Sequence, residues 1–298
     1  MPTQNPRLAV LDGLRFAAAA AVLVYHFVAV NHHAWGARTS TSLPDAQAVT
    51  AYGSFGVQLF FVVSGFVILM TAWGRDVRGF VASRAGRLFP AYWASVLLTV
   101  ILLVLVVPGR RDVDLPQAAA NLTMVQRAFG IPDLEAVYWT LWSELRFYVL
   151  VGVLVAVGLT RARVLAFVVL WPVAGAIATQ TGSELLATML VAPDAPLARV
   201  SWGWLTALGA LTYPLYLVHS SWGRWVIESV HPYLSRAATL AVAVAVCLAL
   251  AWVIHRAVER PLGPRLRHAL DRDLRRDLNR PDHVPAPRGA QDEALAAR

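Results

Sequence analysis

Apolar residues are concentrated in seven stretches of the chain, each near the length of a membrane helix. The stretches cover residues 8–30, 53–74, 88–107, 137–158, 163–180, 203–222 and 237–258. Crossing the hydrocarbon core of a bilayer takes about 20 mainly apolar residues in a helix. Strands of a membrane barrel would show about ten residues of alternating pattern instead. The pattern therefore predicts an all-α fold, a polytopic transmembrane helical bundle of about 7–8 spans.

One region between these stretches has no clear periodicity. Its apolar run Leu185–Ala192 is too short to span a bilayer as a helix, and Pro193 and Pro196 follow it directly. We expect an irregular or deleted region near 180–203, or a segment that re-enters the membrane.

The C-terminal part of the chain has a different character. We expect Pro261 to end the last membrane helix, because proline lacks the backbone N–H that a helix needs. The Arg/Leu pattern that follows predicts an amphipathic helix lying on the membrane to about Leu278, with disorder beyond about 279. These observations divide the chain into a membrane domain, 1–262, and an Arg-rich cytoplasmic tail, 263–298.

Composition excludes several classes of protein. Hydrophobic residues make up 57% of the 298 residues and charged residues 15%, and the mean hydropathy is +0.54, so a soluble domain is implausible. The first stretch is too long for a signal peptide, has ionisable residues and lacks a convincing cleavage site, so we expect a retained helix. Cys247 is the single cysteine, which excludes an intrachain disulfide.

Charge placement predicts how the chain lies in the membrane. All 26 basic residues are arginine, which excludes a Walker lysine and a Schiff-base lysine. Arginines cluster in residues 75–87, 161–163 and 256–280, and the positive-inside rule assigns these to the cytoplasm. We expect both termini to be cytoplasmic in the inner (plasma) membrane, which requires an even number of spans. The net charge of +8 follows from this topology. Nucleic-acid binding is not indicated, because no basic face with interleaved aromatic residues lies outside the predicted membrane segments.

The first apolar stretch carries three ionisable residues. Eleven positions separate Arg15 from His26, which returns to within about 20° of the same helix face after about 16 Å. Asp12 lies on that side, one turn before Arg15. Ionisable groups inside a membrane are expensive and usually face the protein interior or a wet cavity. The spacing predicts a polar track along one side of this helix.

Further polar residues lie in the other spans. Ser64 in the second span is followed by glycine, and we interpret this small pair first as a close-packing position. Arg84 and Arg87 are either anchors at the cytoplasmic surface or a clamp for donor phosphate, because guanidinium groups bind phosphate bidentately.

Three more polar side chains complete the set. Glu144 in the fourth span needs a partner inside the membrane, and Tyr148 lies one turn later on its face. His219 lies in the apolar stretch 203–222, where it is either a hydrogen-bonded residue at a helix contact or a functional group.

Six motifs occur in an order that resembles acyltransferase family 3, a family of integral-membrane O-acyltransferases. The motifs are LDGLRFAAAAAVLVYHF, SFGVQLFFVVSGFVI, SRAGRLFPAYW, WTLWSELRFY, LTYPLYLVH and HRAVERPL. The resemblance covers about residues 8–158 and 205–262. It departs from the family between Glu144 and Tyr213, where the chain is much shorter than usual and where the parity of the spans also indicates missing helices.

The resemblance implies an activity and a set of site residues. It implies transfer of an acyl group, often acetyl from acetyl-CoA, to a hydroxyl of a sugar, polysaccharide, lipid or natural product. Acyl-CoA would be a substrate, with no bound cofactor. The resemblance further implies that Arg15 and His26 are the paired family motif, that Glu144 and the Arg84/Arg87 pair are functional, and that His219 matches a late family stretch.

The chemistry of the residues fits this activity. An alcohol needs help to attack a thioester, and a neutral imidazole near pH 7 is a suitable general base. Our hypothesis assigns this role to His26. Arg15 would steady donor phosphate or offset developing negative charge, and Glu144 would orient His26 or pair with Arg15.

Two other readings remain open at this point. A transporter would also place ionisable groups in the membrane and broken helices near residues 182–200. An inactive remnant of the family is the other alternative. A metal site is not indicated, since the adjacent His32 and His33 lack a nearby carboxylate cluster.

Overall fold

The computed structural model of the chain describes residues 6–30, 32–36, 52–110, 112–180 and 203–278. These residues form α-helices joined by short turns, and the described parts of the chain contain no strand. The helices are α1 (Pro6–Val24), α2 (Phe55–Ala72), α3 (Val77–Ile101), α4 (Leu115–Asn121), α5 (Tyr138–Ala156), α6 (Arg161–Gln180), α7 (Gly203–Val230), α8 (Arg236–Ile254) and α9 (Arg260–Leu278).

Several helices are extended by tighter or wider turns. Wider π-helical turns continue α1 over Tyr25–Val30 and α3 over Leu102–Val106, and a third, His255–Glu259, joins α8 to α9. Short 3₁₀ turns cover His32–Trp35, Tyr52–Ser54 and Gln126–Phe129. The all-α prediction is confirmed, and all seven apolar stretches fall on helices.

Five helical segments within the described residues are long and apolar enough to cross a membrane. They are Val10–Val30, Tyr52–Ala72, Val77–Val106, Tyr138–Ala156 and Arg236–Leu274. Their outer surfaces are apolar, since Leu97, Leu105 and Val149 are 57%, 72% and 62% exposed. Apolar side chains on an outer surface are unfavourable in contact with water but not in contact with lipid. The chain is a helical membrane protein, and the total of 7–8 spans stays a prediction.

Helix α7 is the centre of the bundle. It contacts α1, α3 and α8, and it runs in the same direction as α1, because Asp12 lies beside Gly209 and His26 beside His219. Helix α6 runs antiparallel to α5, with the rings of Phe147 and Phe167 6.1 Å apart. The irregular or deleted region expected near 180–203, like the disorder expected beyond 279, lies outside the described residues.

The prediction that Pro261 ends the last membrane helix is wrong. The chain stays helical from Arg236 to Leu278, and the π-helical turn His255–Glu259 lies just before the proline. A proline clashes with the carbonyl four residues earlier, and a wider turn there relieves the clash. The side chains of His255 and Glu259 are 2.7 Å apart across this turn.

Helix α9 docks on α3 at two glycines. A Cβ atom on Gly86 would lie 2.7 Å from the carbonyl oxygen of Gly263, and one on Gly263 would lie 2.8 Å from that of Gly86. Pro90, four residues after Gly86, has no N–H to donate to that carbonyl. The amphipathic helix that the sequence predicts is therefore present, and its first turns pack against the SRAGR segment of α3.

Small residues also determine how closely α1 and α2 approach. A Cβ atom on Gly53 would lie 2.4 Å from the carbonyl oxygen of Ala21, and one on Gly56 would lie 2.5 Å from that of Ala18. Close backbone contact through small residues is the usual means of helix association in membranes. This contact holds α1, with Arg15 and His26, against the rest of the bundle.

We predict that Gly56→Ala destabilises the protein. The new methyl group meets the α1 backbone, which cannot rotate away, and overpacking of this kind costs about 1–3 kcal/mol. The thermal unfolding midpoint in detergent measures the effect. Gly152→Ala on α5 is the matched control, because nothing lies within 4 Å of its Cβ position. Equal midpoints for the two variants would contradict a tight α1–α2 contact.

Candidate active site

Two histidines from distant parts of the sequence meet between α1 and α7. Nε2 of His219 is 3.3 Å from Nδ1 of His26, and the ring centroids are 4.8 Å apart with the planes at 78°. His219 is buried at 1% exposure, whereas His26 is partly accessible. The sequence indicated both residues but gave no reason to pair them.

Hydrogen-bond acceptors determine where the ring protons of the pair lie. Nδ1 of His219 is 2.8 Å from the carbonyl oxygen of Tyr216, and Nδ1 of His26 is 2.9 Å from that of Val22. A carbonyl only accepts, so Nδ1 of His219 carries a proton and its Nε2 is an acceptor. Nδ1 of His26 therefore faces two acceptors, the Val22 carbonyl and Nε2 of His219, and its single N–H is shared between them. The lone pair on Nε2 of His26 remains, and no protein group among the described residues hydrogen-bonds to it.

A change in helix geometry helps to aim His26. The π-helical turn Tyr25–Val30 begins one residue before it. Turns of this kind inside α-helices occur often at functional sites, because the extra residue per turn redirects side chains. The indole Nε1 of Trp35 donates to the carbonyl oxygen of Phe27 at 2.8 Å and so holds the turn in place.

A second group of ionisable side chains lies nearer the start of α1. Arg15 is buried at 8% exposure, and its Nε atom has no hydrogen-bond partner in the described part of the chain. The charges of Arg15, Arg87 and Glu144 are close enough to interact. The four residues Arg15, Arg84, Arg87 and Glu144, together with Tyr148, are called the arginine cluster below.

The members of the arginine cluster differ in their hydrogen bonds and in their exposure. Arg84 donates to Thr71 Oγ1 at 3.4 Å and lies 5.9 Å from the ring centroid of Tyr148, while its Nε atom is buried without a partner. Arg87 is exposed. Glu144 accepts a 2.5 Å hydrogen bond from the hydroxyl of Tyr148. The hydrogen-bond partner of Glu144 is thus Tyr148, rather than Arg15 or His26.

Positive charge exceeds negative charge in this cluster. Three guanidinium groups face one carboxylate, with Asp12 of α1 as a further negative neighbour of Arg15. Buried N–H groups are costly when they lack acceptors. The unpaired Nε atoms of Arg15 and Arg84 therefore suit an anionic ligand, such as the carboxylate or phosphate groups that guanidinium binds bidentately.

Aromatic rings occupy the space between Arg15 and the histidines. Cζ of Arg15 is 5.1 Å from the Phe60 ring centroid, Phe60 stacks on Tyr216 at 5.9 Å, and the Tyr216 and His219 centroids are 5.5 Å apart. The hydroxyl of Tyr216 is 2.9 Å from Thr140 Oγ1. The site therefore has a charged part and a histidine part joined by an aromatic column, rather than the continuous polar track that the spacing on α1 predicts.

The remaining predicted residues lie at the margins of the site. Asp12 packs against α7, where a Cβ atom on Gly209 would lie 2.4 Å from the Asp12 Cβ. Ser64 is buried at 4% exposure and its hydroxyl has no partner among the described residues. Within the same residues, no three His, Cys, Asp or Glu side chains form a group that could hold a metal ion.

One buried carboxylate escaped the sequence reasoning. Glu135 is fully buried and accepts hydrogen bonds from Thr99 Oγ1 at 3.0 Å and Ser221 Oγ at 2.8 Å. Glu135 therefore links α3 to α7, and its partner on α7, Ser221, lies two residues after His219. Glu135 precedes α5 in a loop, so no helical pattern marked it as buried.

We predict that Ser221→Ala lowers stability. The substitution removes a donor from the buried Glu135, and leaving a buried acceptor under-satisfied costs about 1–3 kcal/mol. The thermal unfolding midpoint in detergent measures the loss. Ser229→Ala is the matched control on the same helix, because its exposed hydroxyl bonds only to the carbonyl of Trp225. A midpoint as high as that of the control would show that Glu135 does not depend on Ser221.

Comparison with known proteins gives this helical membrane fold and its ionisable site a family. The sequence profile of acyltransferase family 3, described as an acyltransferase domain, matches residues 8–185, which is more than half of the chain. The chain therefore belongs to this family. The matched range includes Arg15, His26, the arginines of α3 and Glu144, and it ends before His219.

Two curated relatives carry acyltransferase names. YrhL of Bacillus subtilis (strain 168), named as a candidate peptidoglycan O-acetyltransferase, is 27% identical over 217 residues, which cover 65% of this chain and 30% of that protein. Acyltransferase MdmB of Streptomyces mycarofaciens is 29% identical over 157 residues, or 50% of this chain and 39% of that protein. The chain thus spans well under half the length of these relatives. No solved structure matches.

Proposed function

We propose that the chain is a membrane O-acyltransferase that moves an acyl group, acetyl in the first instance, from acyl-CoA to a hydroxyl. The acceptor class is a sugar, polysaccharide, lipid or natural product. The partly accessible His26 carries the proposal, because its Nε2 lone pair is left without a protein partner while its Nδ1 is held. The O-acetyltransferase name of one relative supports acetyl and a carbohydrate hydroxyl.

His26 serves as the general base. Its Nε2 accepts the proton of the acceptor hydroxyl as that oxygen bonds to the acyl carbonyl carbon. The tetrahedral intermediate then collapses, the carbon–sulfur bond breaks, and CoA leaves as a thiolate. The imidazolium of His26 returns the proton to that sulfur, so the enzyme ends the cycle unchanged. His219 is unsuited to this role, because its Nε2 is occupied by His26 and its ring is buried.

The arginine cluster serves as the donor-phosphate site. The acyl-CoA phosphates lie at Arg15, Arg84 and Arg87, and the thioester reaches His26 along the aromatic column. The positive-inside rule supports a cytoplasmic position for the cluster, where acyl-CoA is available. Glu144, held by Tyr148, balances part of the positive charge and keeps the guanidinium groups in place. Both termini are then cytoplasmic in the inner membrane.

We predict that His26→Ala nearly abolishes transfer without unfolding the protein. General acid–base assistance is typically worth about 10²–10⁴-fold in rate. Transfer of radiolabelled acetyl from acetyl-CoA to a panel of alcohols, with detergent-purified protein, measures the loss. His268→Ala on the exposed face of α9 is the matched control. If His26→Ala kept more than about a tenth of the wild-type rate, the assignment of the base would be wrong.

The same assay tests the reaction class. Wild-type protein that is monodisperse in detergent, yet neither binds acetyl-CoA nor transfers acetyl, would favour a transporter or an inactive relative. Binding of acetyl-CoA without transfer would keep the donor site and move the question to the acceptor panel.

We predict that Arg15→Gln weakens binding of the donor through its phosphates. Loss of a charge-assisted hydrogen bond costs about 1.5–3 kcal/mol, so KM for acetyl-CoA should rise roughly tenfold to a hundredfold. S-acetyl-pantetheine lacks the nucleotide phosphates, and its KM should change little. Arg272→Gln is the matched control, an exposed arginine on α9. An equal rise in KM for both donors would show that Arg15 does not bind phosphate.

A further inference from the structure

We propose that His219 is a positioning residue for acyl transfer. It holds His26 as the tautomer protonated on Nδ1 and keeps Nε2 of His26 turned toward the substrates. This inference deepens the proposed function and rests on His26 as the base. It concerns a residue that lies outside the range matched by the family profile.

His219 is itself fixed on several sides. Its Nδ1 donates to the carbonyl oxygen of Tyr216 at 2.8 Å, which leaves Nε2 as an acceptor. Its ring packs against the ring of Tyr216, which is stacked on Phe60 and hydrogen-bonded to Thr140. Because these contacts come from α2, α5 and α7, the acceptor atom is held by three helices.

The carbonyl of Val22 alone does not determine the orientation of His26. That carbonyl lies on the same helix and fixes the position of Nδ1 at 2.9 Å, but rotation about this contact leaves the ring plane free. The ring of His219 stands at 78° to that of His26, with centroids 4.8 Å apart. It therefore limits the plane of the His26 ring and the direction of its Nε2 lone pair.

The histidine pair also suits the step of the catalytic cycle in which His26 is protonated. When Nε2 of His26 takes the acceptor proton, the Nδ1–H of the positive imidazolium remains shared between the Val22 carbonyl and the Nε2 lone pair of His219. A hydrogen bond from a charged donor is stronger than one from a neutral donor. The proton stays on His26, because His219 is the more deeply buried of the two rings and burial disfavours a positive charge. His219 thus acts as a neutral orienting acceptor, in the place where many hydrolases use a carboxylate.

Three variants at this position separate the acceptor from the ring. His219→Phe keeps the ring and removes both nitrogens. The amide of Gln reaches the position of Nε2, so His219→Gln can still accept from His26. The shorter Asn reaches only the position of Nδ1, so His219→Asn keeps the contact with Tyr216 and loses the acceptor. Gln and Asn are therefore a matched pair of polar amides.

We expect kcat to separate these variants and KM to remain the same. Misplacement of a catalytic group by about 1 Å can cost about a hundredfold, so kcat should fall roughly tenfold to a hundredfold in His219→Phe and His219→Asn. His219→Gln should recover most of that loss. KM for acetyl-CoA should be unchanged, because the arginine cluster is untouched. A wild-type kcat in His219→Phe, or a Gln variant no better than Asn, would overturn the proposal.

A spectroscopic readout tests the same inference without turnover. In ¹⁵N-histidine-labelled protein, the signal lost in His26→Gln identifies His26, and couplings to the ring C–H protons show which nitrogen carries the proton. We expect Nδ1–H only in the wild type. In His219→Phe we expect a mixture of tautomers, because the Val22 carbonyl is then the one remaining acceptor at Nδ1 and the ring is free to turn away from it. The same single tautomer in both proteins would overturn the positioning role.

The two readouts also distinguish this inference from the proposed function. A wild-type protein without transfer activity, but with the expected loss of the single tautomer in His219→Phe, would reject the acyltransferase reaction and retain the histidine pair. Loss of activity in His26→Ala together with full activity in His219→Phe would retain the reaction and reject the role of His219.

Discussion

The absence of water in the hydrocarbon core is the constraint on which this architecture depends. A polar side chain there must find a partner in the protein, because lipid offers none. The chain meets this requirement at the centre of the bundle, where α7 brings Tyr216 and His219 against polar residues of α1 and α5. The lipid-facing surfaces of α3 and α5 are left apolar. The polar interior is possible because Gly53 and Gly56 let the backbones of α1 and α2 approach closely, while Gly209 of α7 leaves room for the side chain of Asp12.

Much of the fold could be predicted from the sequence, because membrane helices are encoded locally. Length and hydropathy located all seven apolar stretches on helices. The same local reasoning failed at Pro261, where the π-helical turn His255–Glu259 takes up the clash and the helix continues. The effect of a proline depends on the turn before it, and hydropathy does not reveal that turn.

The site was predictable only in part, for a related reason. The spacing of Arg15 and His26 follows from the periodicity of one helix. The contact between His26 and His219 joins residues 193 positions apart, and no pattern along a single helix encodes it. The same is true of Phe60 and Tyr216, two residues that look like ordinary packing in the sequence and that turn out to divide the site.

Repulsion between like charges gives a physical reason for the separation of the arginines from His26. A base that must gain a positive charge works poorly beside guanidinium groups. At an effective dielectric constant of 20, two like charges repel by about 4 kcal/mol at 4 Å and by only about 1 kcal/mol at 16 Å. Eleven residues of helix give about that larger separation between Arg15 and His26. The arginines can therefore hold the anionic end of a donor without preventing His26 from taking a proton, provided the donor is long enough to reach both.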